Sequence, residues 1–189
     1  MSGSGELDNG WSVDLSIAHG NAGAFSAHNV TVGVPGVGDI LFSTVSGTGI
    51  QRMDDMTPTV WEEADGAGLS AGINKIMGTS AGATIEVTPE GLPDGLTARI
   101  AWSPDSDSGD INDKASGGSS GVLGAGWDVT LEACSDLTGV DGLTLYAGMS
   151  EVDQYTGSAT YSGNRDETVY GFKYAMGGFT IGYQVTDED

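Results

Sequence analysis

The feature that most constrains this chain is strict alternation, repeated along almost its whole length with no helical period in any long window. Residues 11–18 put Trp11, Val13, Leu15 and Ile17 on one phase, and Ser12, Asp14, Ser16 and Ala18 on the other. Val30, Val32 and Val34 alternate with Asn29, Thr31 and Gly33, and Leu96, Ala98, Ile100 and Trp102 with Thr97, Arg99 and Ala101. The longest run sets Leu123, Ala125, Trp127, Val129, Leu131 and Ala133 against Gly124, Gly126, Asp128, Thr130 and Glu132. Tyr170, Phe172, Tyr174 and Met176 oppose Gly171 and Lys173, and Phe179, Ile181, Tyr183 and Val185 follow the same plan. A period of two belongs to strands. With weaker candidates at 1–7, 39–45, 68–76, 82–88 and 143–150, the pattern predicts about eleven consecutive strands.

The connections sort into two kinds. Asp8-Asn9-Gly10, Pro35 to Gly38, Pro89 to Gly95, Ser135 to Gly142 and Gly177-Gly178 are short and rich in residues that tolerate positive φ, as hairpins require. The others, 19–28, 46–67, 77–81, 103–120 and 151–167, are mostly longer, with 77–81 the exception. Short turns at one end and long loops at the other is the plan of an outer-membrane barrel.

Charge decides which face meets water. The six mid-strand charges Asp14, Glu86, Arg99, Asp128, Glu132 and Lys173 all fall on the Ser/Thr/Gly phase. On the apolar phase a Lys or Arg facing lipid at the bilayer midplane costs ~2–4 kcal/mol; the polar phase is expected to line water as the lumen. Trp11, Trp102, Tyr170 and Phe179 sit towards strand ends, where aromatic rings favour the membrane interface. A soluble β-sandwich also alternates. The unbroken meander, the asymmetry of turns and loops, and a polar phase of small residues favour the barrel.

Composition excludes several classes. The 189 residues carry 27 acids against 6 bases, a formal charge of −21, which is the wrong sign for nucleic acid. No apolar run approaches the ~18–20 residues of a spanning helix. Cys134 is the lone cysteine, so neither an internal disulfide nor a cysteine zinc pair is available. No nucleophile elbow, phosphate-binding Gly/Lys loop or His-Glu-x-x-His is present. Asp128 and Glu132, four apart on a strand, lie ~13 Å apart, beyond the ~5–9.5 Å of a glycosidase pair. The chain does not read as an enzyme, and no cofactor is expected.

Trp11 to His19, Asp141 to Met149, Tyr170 to Gln184 and the loop segment Arg52 to Glu63 resemble alphaproteobacterial general porins of marine type, in matching order over nearly the whole chain. The resemblance implies an outer-membrane barrel of about sixteen strands, usually a homotrimer in outer-membrane lipid, passing small hydrophilic solutes and ions passively. The chain is shorter than the family, begins without a leader and ends Thr186-Asp187-Glu188-Asp189 without a terminal aromatic. It therefore reads as an internal stretch, all-β and open at both edges.

If the strand at 1–7 is the family's second, the loop 46–67 follows the fifth, which in porins folds into the pore. That makes Arg52, Asp54, Asp55, Glu62, Glu63 and Asp65 candidate constriction residues, with a capping box at Thr59 to Glu62 behind Pro58. With the acidic lumen, these predict a preference for cations. Asp105, Asp107, Asp110 and Asp113 form a weak candidate metal set that breaks calcium-loop spacing and has no Glu at position twelve. His19 and His28, without a carboxylate or Cys nearby, make a poor metal pair. The competing function is a secreted acidic calcium-binding β-protein, an adhesin or surface-layer module, although the short exact repeat it requires is missing.

Overall fold

A computed structural model describes residues 1–19, 25–44, 47–54, 56–57, 78–79, 83–106, 123–154 and 164–189. They form one antiparallel sheet of ten strands in sequence order: β1 (Ser2–Glu6), β2 (Ser12–His19), β3 (Phe25–Val34), β4 (Gly38–Ser43), β5 (Thr84–Pro89), β6 (Leu96–Ser103), β7 (Leu123–Ala133), β8 (Leu143–Gln154), β9 (Arg165–Met176) and β10 (Phe179–Glu188). β1 and β10 each pair with a single neighbour, so the sheet is open. Leu131 and Ile181 stay 47% and 58% exposed, which excludes a sandwich that buries one against the other.

The strand count is corrected from about eleven to ten among the described residues. β4 pairs directly with β5 from Gly38↔Pro89 to Ser43↔Thr84, leaving no place in the sheet for a strand between them. Residues 68–76 lie outside the described residues. With a single connection at 44–83, the exception at 77–81 disappears. The glycine-rich turns fall at one end of the sheet, where Gly36 (φ 83°) and Gly177 (φ 61°) supply the left-handed backbone of the tightest hairpins; the remaining connections fall at the other, and of these 20–24, expected as a loop over 19–28, is shorter than the turn 134–142. The expected loop 151–167 is also shorter, because β8 runs on to Gln154 and β9 begins at Arg165. The turn after β7 holds one helical turn, α1 (Ser135–Thr138), closed by Gly139 at φ 70°.

The two faces differ sharply. Direct pairs run without interruption across all ten strands as Ser4, Asp14, Thr31, Leu41, Glu86, Ala101, Asp128, Ser150, Glu167 and Glu188. One residue along, on the opposite face, the row reads Gly5, Val13, Val32, Ile40, Val87, Ile100, Val129, Met149, Thr168 and Asp187. The polar row is buried where Glu86, Asp128 and Glu167 stand, at 2%, 0% and 2% exposure. The apolar face is open: Ile100 and Met149 are 52% and 49% exposed.

What covers the polar face is part of the β4–β5 connection. A short 3-10 helix, Gly49–Met53, and the pair Gly78–Thr79 rest on it. These few residues touch β5, β7 and β9 and share a cavity with β1 to β4. Laid flat, β1 to β9 would span eight spacings of ~4.8 Å, ~38 Å, whereas a five-residue 3-10 helix is ~10 Å long. The sheet must curl around this segment, and the polar face is its inner face.

Candidate functional site

The inner face is built to receive the segment. Gly148 lies where Ile50 and Met53 pack: a Cβ there would stand 3.0 Å from Ile50 Cγ1 and 3.2 Å from Met53 Sδ. Ile50, Met53, Tyr146 and Val169 form a buried apolar cluster, with Met56 against it. Fully burying a residue such as Ile50 contributes ~1.5–3 kcal/mol to docking. Tyr146 Oη donates to Gln184 Oε1 at 2.8 Å, which fixes the ring over Gly171.

Three wall carboxylates then hold the backbone of both limbs. The Gly49 amide donates to Glu86 Oε2 at 2.7 Å, the Ile50 amide to Asp128 Oδ2 at 3.1 Å, and the Gly78 amide to Glu167 Oε2 at 2.6 Å. Asp128 also accepts from the Thr79 amide at 3.2 Å and the Thr79 hydroxyl at 2.9 Å. Glu86 and Glu167 each have a guanidinium as well: Arg52 pairs with Glu86, and Arg165 stands 3.7 Å from Glu167 while donating to Gly78 O at 3.0 Å. Asp128 has no such cation among the described residues and is satisfied by N–H and O–H donors alone. Gly49 (φ 54°) and Gly78 (φ 51°) are required twice over, since a Cβ on either would also run into the Asp128 carboxylate.

All six mid-strand charges lie on the inner face. Asp14 pairs with Thr31, Arg99 with Thr130, Glu132 with Tyr146 and Lys173 with Thr144, in register with buried Glu86 and Asp128. They do not converge on one point. Glu86 and Asp128 lie under the docked segment; Asp14 faces a cavity on the β1–β4 side; Arg99, Glu132 and Lys173 lie further towards the short-turn end.

Of the constriction candidates, Arg52 is brought to the wall at Glu86, and Asp54 follows the 3-10 helix, its amide donating to Gln51 O at 3.1 Å. Asp55, Glu62, Glu63 and Asp65, and the capping box, lie outside the described residues. So do Asp107, Asp110 and Asp113 of the weak metal set; Asp105 sits just past β6, its carbonyl accepting from Ser103 Oγ at 2.6 Å. Sequence reasoning missed Glu167, placed in a loop rather than a strand, although Glu167, Val169, Gly171 and Lys173 continue the inner phase in steps of two. It missed Gly49, Gly78 and Thr79 as well, whose roles arise only when the segment meets the wall.

Beside the docked segment lies a cavity of about 820 Å³, lined by serine, threonine, asparagine and leucine residues of β1 to β4, by Asp14, and by Thr48 and Arg52. No family model and no curated protein matches this chain.

Proposed function

We propose that the chain forms part of the wall and the inward-folded loop of an outer-membrane porin, a passive diffusion channel for small hydrophilic solutes and ions that prefers cations. The observation that carries this reading is the pair of adjacent rows. One presents apolar side chains outward on seven consecutive strands, Val13 to Met149; the other carries Asp14, Glu86, Asp128, Glu167 and Glu188 inward with no base among its ten members. An apolar exterior suits lipid and a polar interior suits water. Backbone bonded to its own wall suits a loop that narrows a pore. The full barrel takes further strands against the open edges of β1 and β10, and the resemblance noted above adds a homotrimer. An acidic wall bounded by low dielectric concentrates cations and repels anions.

The test uses the full-length protein in planar bilayers across a salt gradient. The reversal potential should show cation preference that shrinks as salt rises to 1 M, where the Debye length falls to ~3 Å. Neutralising Asp54, Asp55, Glu62 and Glu63 together should lower it more than neutralising Asp105, Asp107, Asp110 and Asp113. Absence of conductance sinks the channel reading, and anion preference sinks the selectivity.

A further inference from the structure

The docked segment divides the inner face unequally. Its backbone is bonded to Glu86 on β5, Asp128 on β7 and Glu167 on β9, and the cavity lies against β1 to β4. Glu86, Asp128 and Glu167 are almost fully buried and already hold backbone amides, so a solute in the cavity does not reach them. Among the described residues, the charged side chains that line the cavity are Asp14 and Arg52. Arg52 gives its Nε and Nη2 donors to Glu86, which makes its contribution a pair of net charge zero. Asp14 is exposed and has neither a hydrogen bond nor an ion pair among the described residues. Its direct partners on the neighbouring strands are Ser4 and Thr31, and Ser16 follows two residues along β2 on the same face. All three line the cavity as well. The cavity thus keeps one uncompensated negative charge, set among hydroxyl-bearing residues.

We propose that Asp14 is the wall residue that selects cations, attracting a hydrated cation to the β1–β4 side of the segment, while the three acids beneath the segment serve as its anchors. The inference rests on the channel reading and names the residue that sets its preference on the wall. Glu86, Asp128 and Glu167 each face hydrogen-bond donors, and two of them a guanidinium, so little of their field acts on a passing ion. A carboxylate among hydroxyls offers hard oxygens, which suit alkali and alkaline-earth ions rather than soft metals. One carboxylate does not replace a hydration shell, so the ion keeps its water and leaves readily, as conduction demands. A cavity of about 820 Å³ has room for that shell.

The experiment is the reversal potential of the full-length protein in planar bilayers across a KCl gradient at low salt. In Asp14→Asn the ratio of potassium to chloride permeability should fall about fivefold, the factor that one unit charge supports at ~4 Å in bulk water. Asp14→Glu, which keeps the charge, should hold the wild-type ratio. Asp187→Asn removes the same charge from the outward face and should leave the ratio as it was. A ratio unchanged in Asp14→Asn, or lowered equally by Asp14→Glu or by Asp187→Asn, overturns the assignment of Asp14 and leaves the channel standing. Absence of conductance in the wild type overturns the channel reading, and the assignment with it.

Discussion

Val129 and Asp128 are neighbours in sequence and opposites in environment. Val129 belongs to a row of apolar side chains that face away from the curl of the sheet, with Ile100 and Met149 beside it half exposed; Asp128 is fully buried beneath a folded-in segment. A soluble protein sets these the other way round, burying apolar groups and exposing charge. On the channel reading proposed above, this inversion reflects two media, with an apolar environment at the outer face and polar partners at the inner face. Where the segment covers it, the inner face finds those partners in backbone amides; elsewhere it borders a cavity. The lesson is that one period-2 pattern serves two media, and only the placement of charge tells which face meets which.

The sharpest way to break that comparison is to exchange the media. Ile100→Lys places a charge on the outer face near the middle of β6. If lipid covers that face, the substitution costs ~2–4 kcal/mol. Assembly into the membrane, followed by heat-resistant barrel formation, should drop accordingly. Thr31→Lys on the inner face, in the row of Asp14 and beside the cavity, should assemble almost normally. On a soluble sheet Ile100→Lys at an exposed site would stay within ~0.5 kcal/mol of wild type, so equal assembly of the two variants contradicts a lipid-facing row.

Much of this was legible in the residues because a strand's face follows from parity alone. Once Asp14, Glu86, Asp128 and Lys173 share a phase, pairing can only carry that phase from strand to strand. The turn chemistry at Gly36 and Gly177 marked hairpin ends for the same local reason. What failed was non-local. The weaker strand pattern at 68–76 lies outside the described residues, and the direct β4–β5 pairing, which periodicity does not record, shows only that no strand stands between those two in the sheet. The short 3-10 helix at Gly49–Met53 has no acidic first turn and no side-chain cap, so it left no signature. Its position comes from amides meeting carboxylates far away in sequence, and periodicity carries no record of that.

A second test works inside the inner face, on the contact that holds the segment. Asp128→Ala leaves the Ile50 and Thr79 amides without their acceptor. A buried donor deprived of its partner costs ~1–3 kcal/mol, so protection of these two amides from hydrogen exchange should fall roughly 5- to 150-fold while that of β10 is unchanged. Gly49→Ala attacks the same contact from the other side, because its Cβ runs into that carboxylate at a left-handed φ. The two effects should therefore be strongly non-additive in the double variant. Gly47→Ala, also at positive φ (95°) but with open space around the added methyl, should show the backbone strain alone. Full additivity of Asp128→Ala with Gly49→Ala would mean that the carboxylate and the loop backbone do not act as one unit.

The smallest expected effect separates shape from polarity at Tyr146, whose chain neighbour Leu145 faces outward at 44% exposure. The Tyr146 ring is part of the cluster that holds Ile50 and Met53, whereas its hydroxyl reaches across β9 to Gln184 on β10. Tyr146→Phe keeps the ring and deletes one neutral hydrogen bond, worth ~0.5–1.5 kcal/mol. Exchange at the Ile50 amide should stay close to wild type, while β10 next to Gln184 becomes modestly less protected. Tyr146→Ala should do both, losing ~3–5 kcal/mol as large aromatic truncations in packed sites do. The ring docks the segment and the hydroxyl ties β8 to β10 over the bare surface of Gly171, so the two readouts should move independently. If Tyr146→Phe releases the Ile50 amide as fully as Tyr146→Ala, the hydroxyl, not the packing, positions the ring, and the apolar cluster is secondary to the hydrogen bond that aims it.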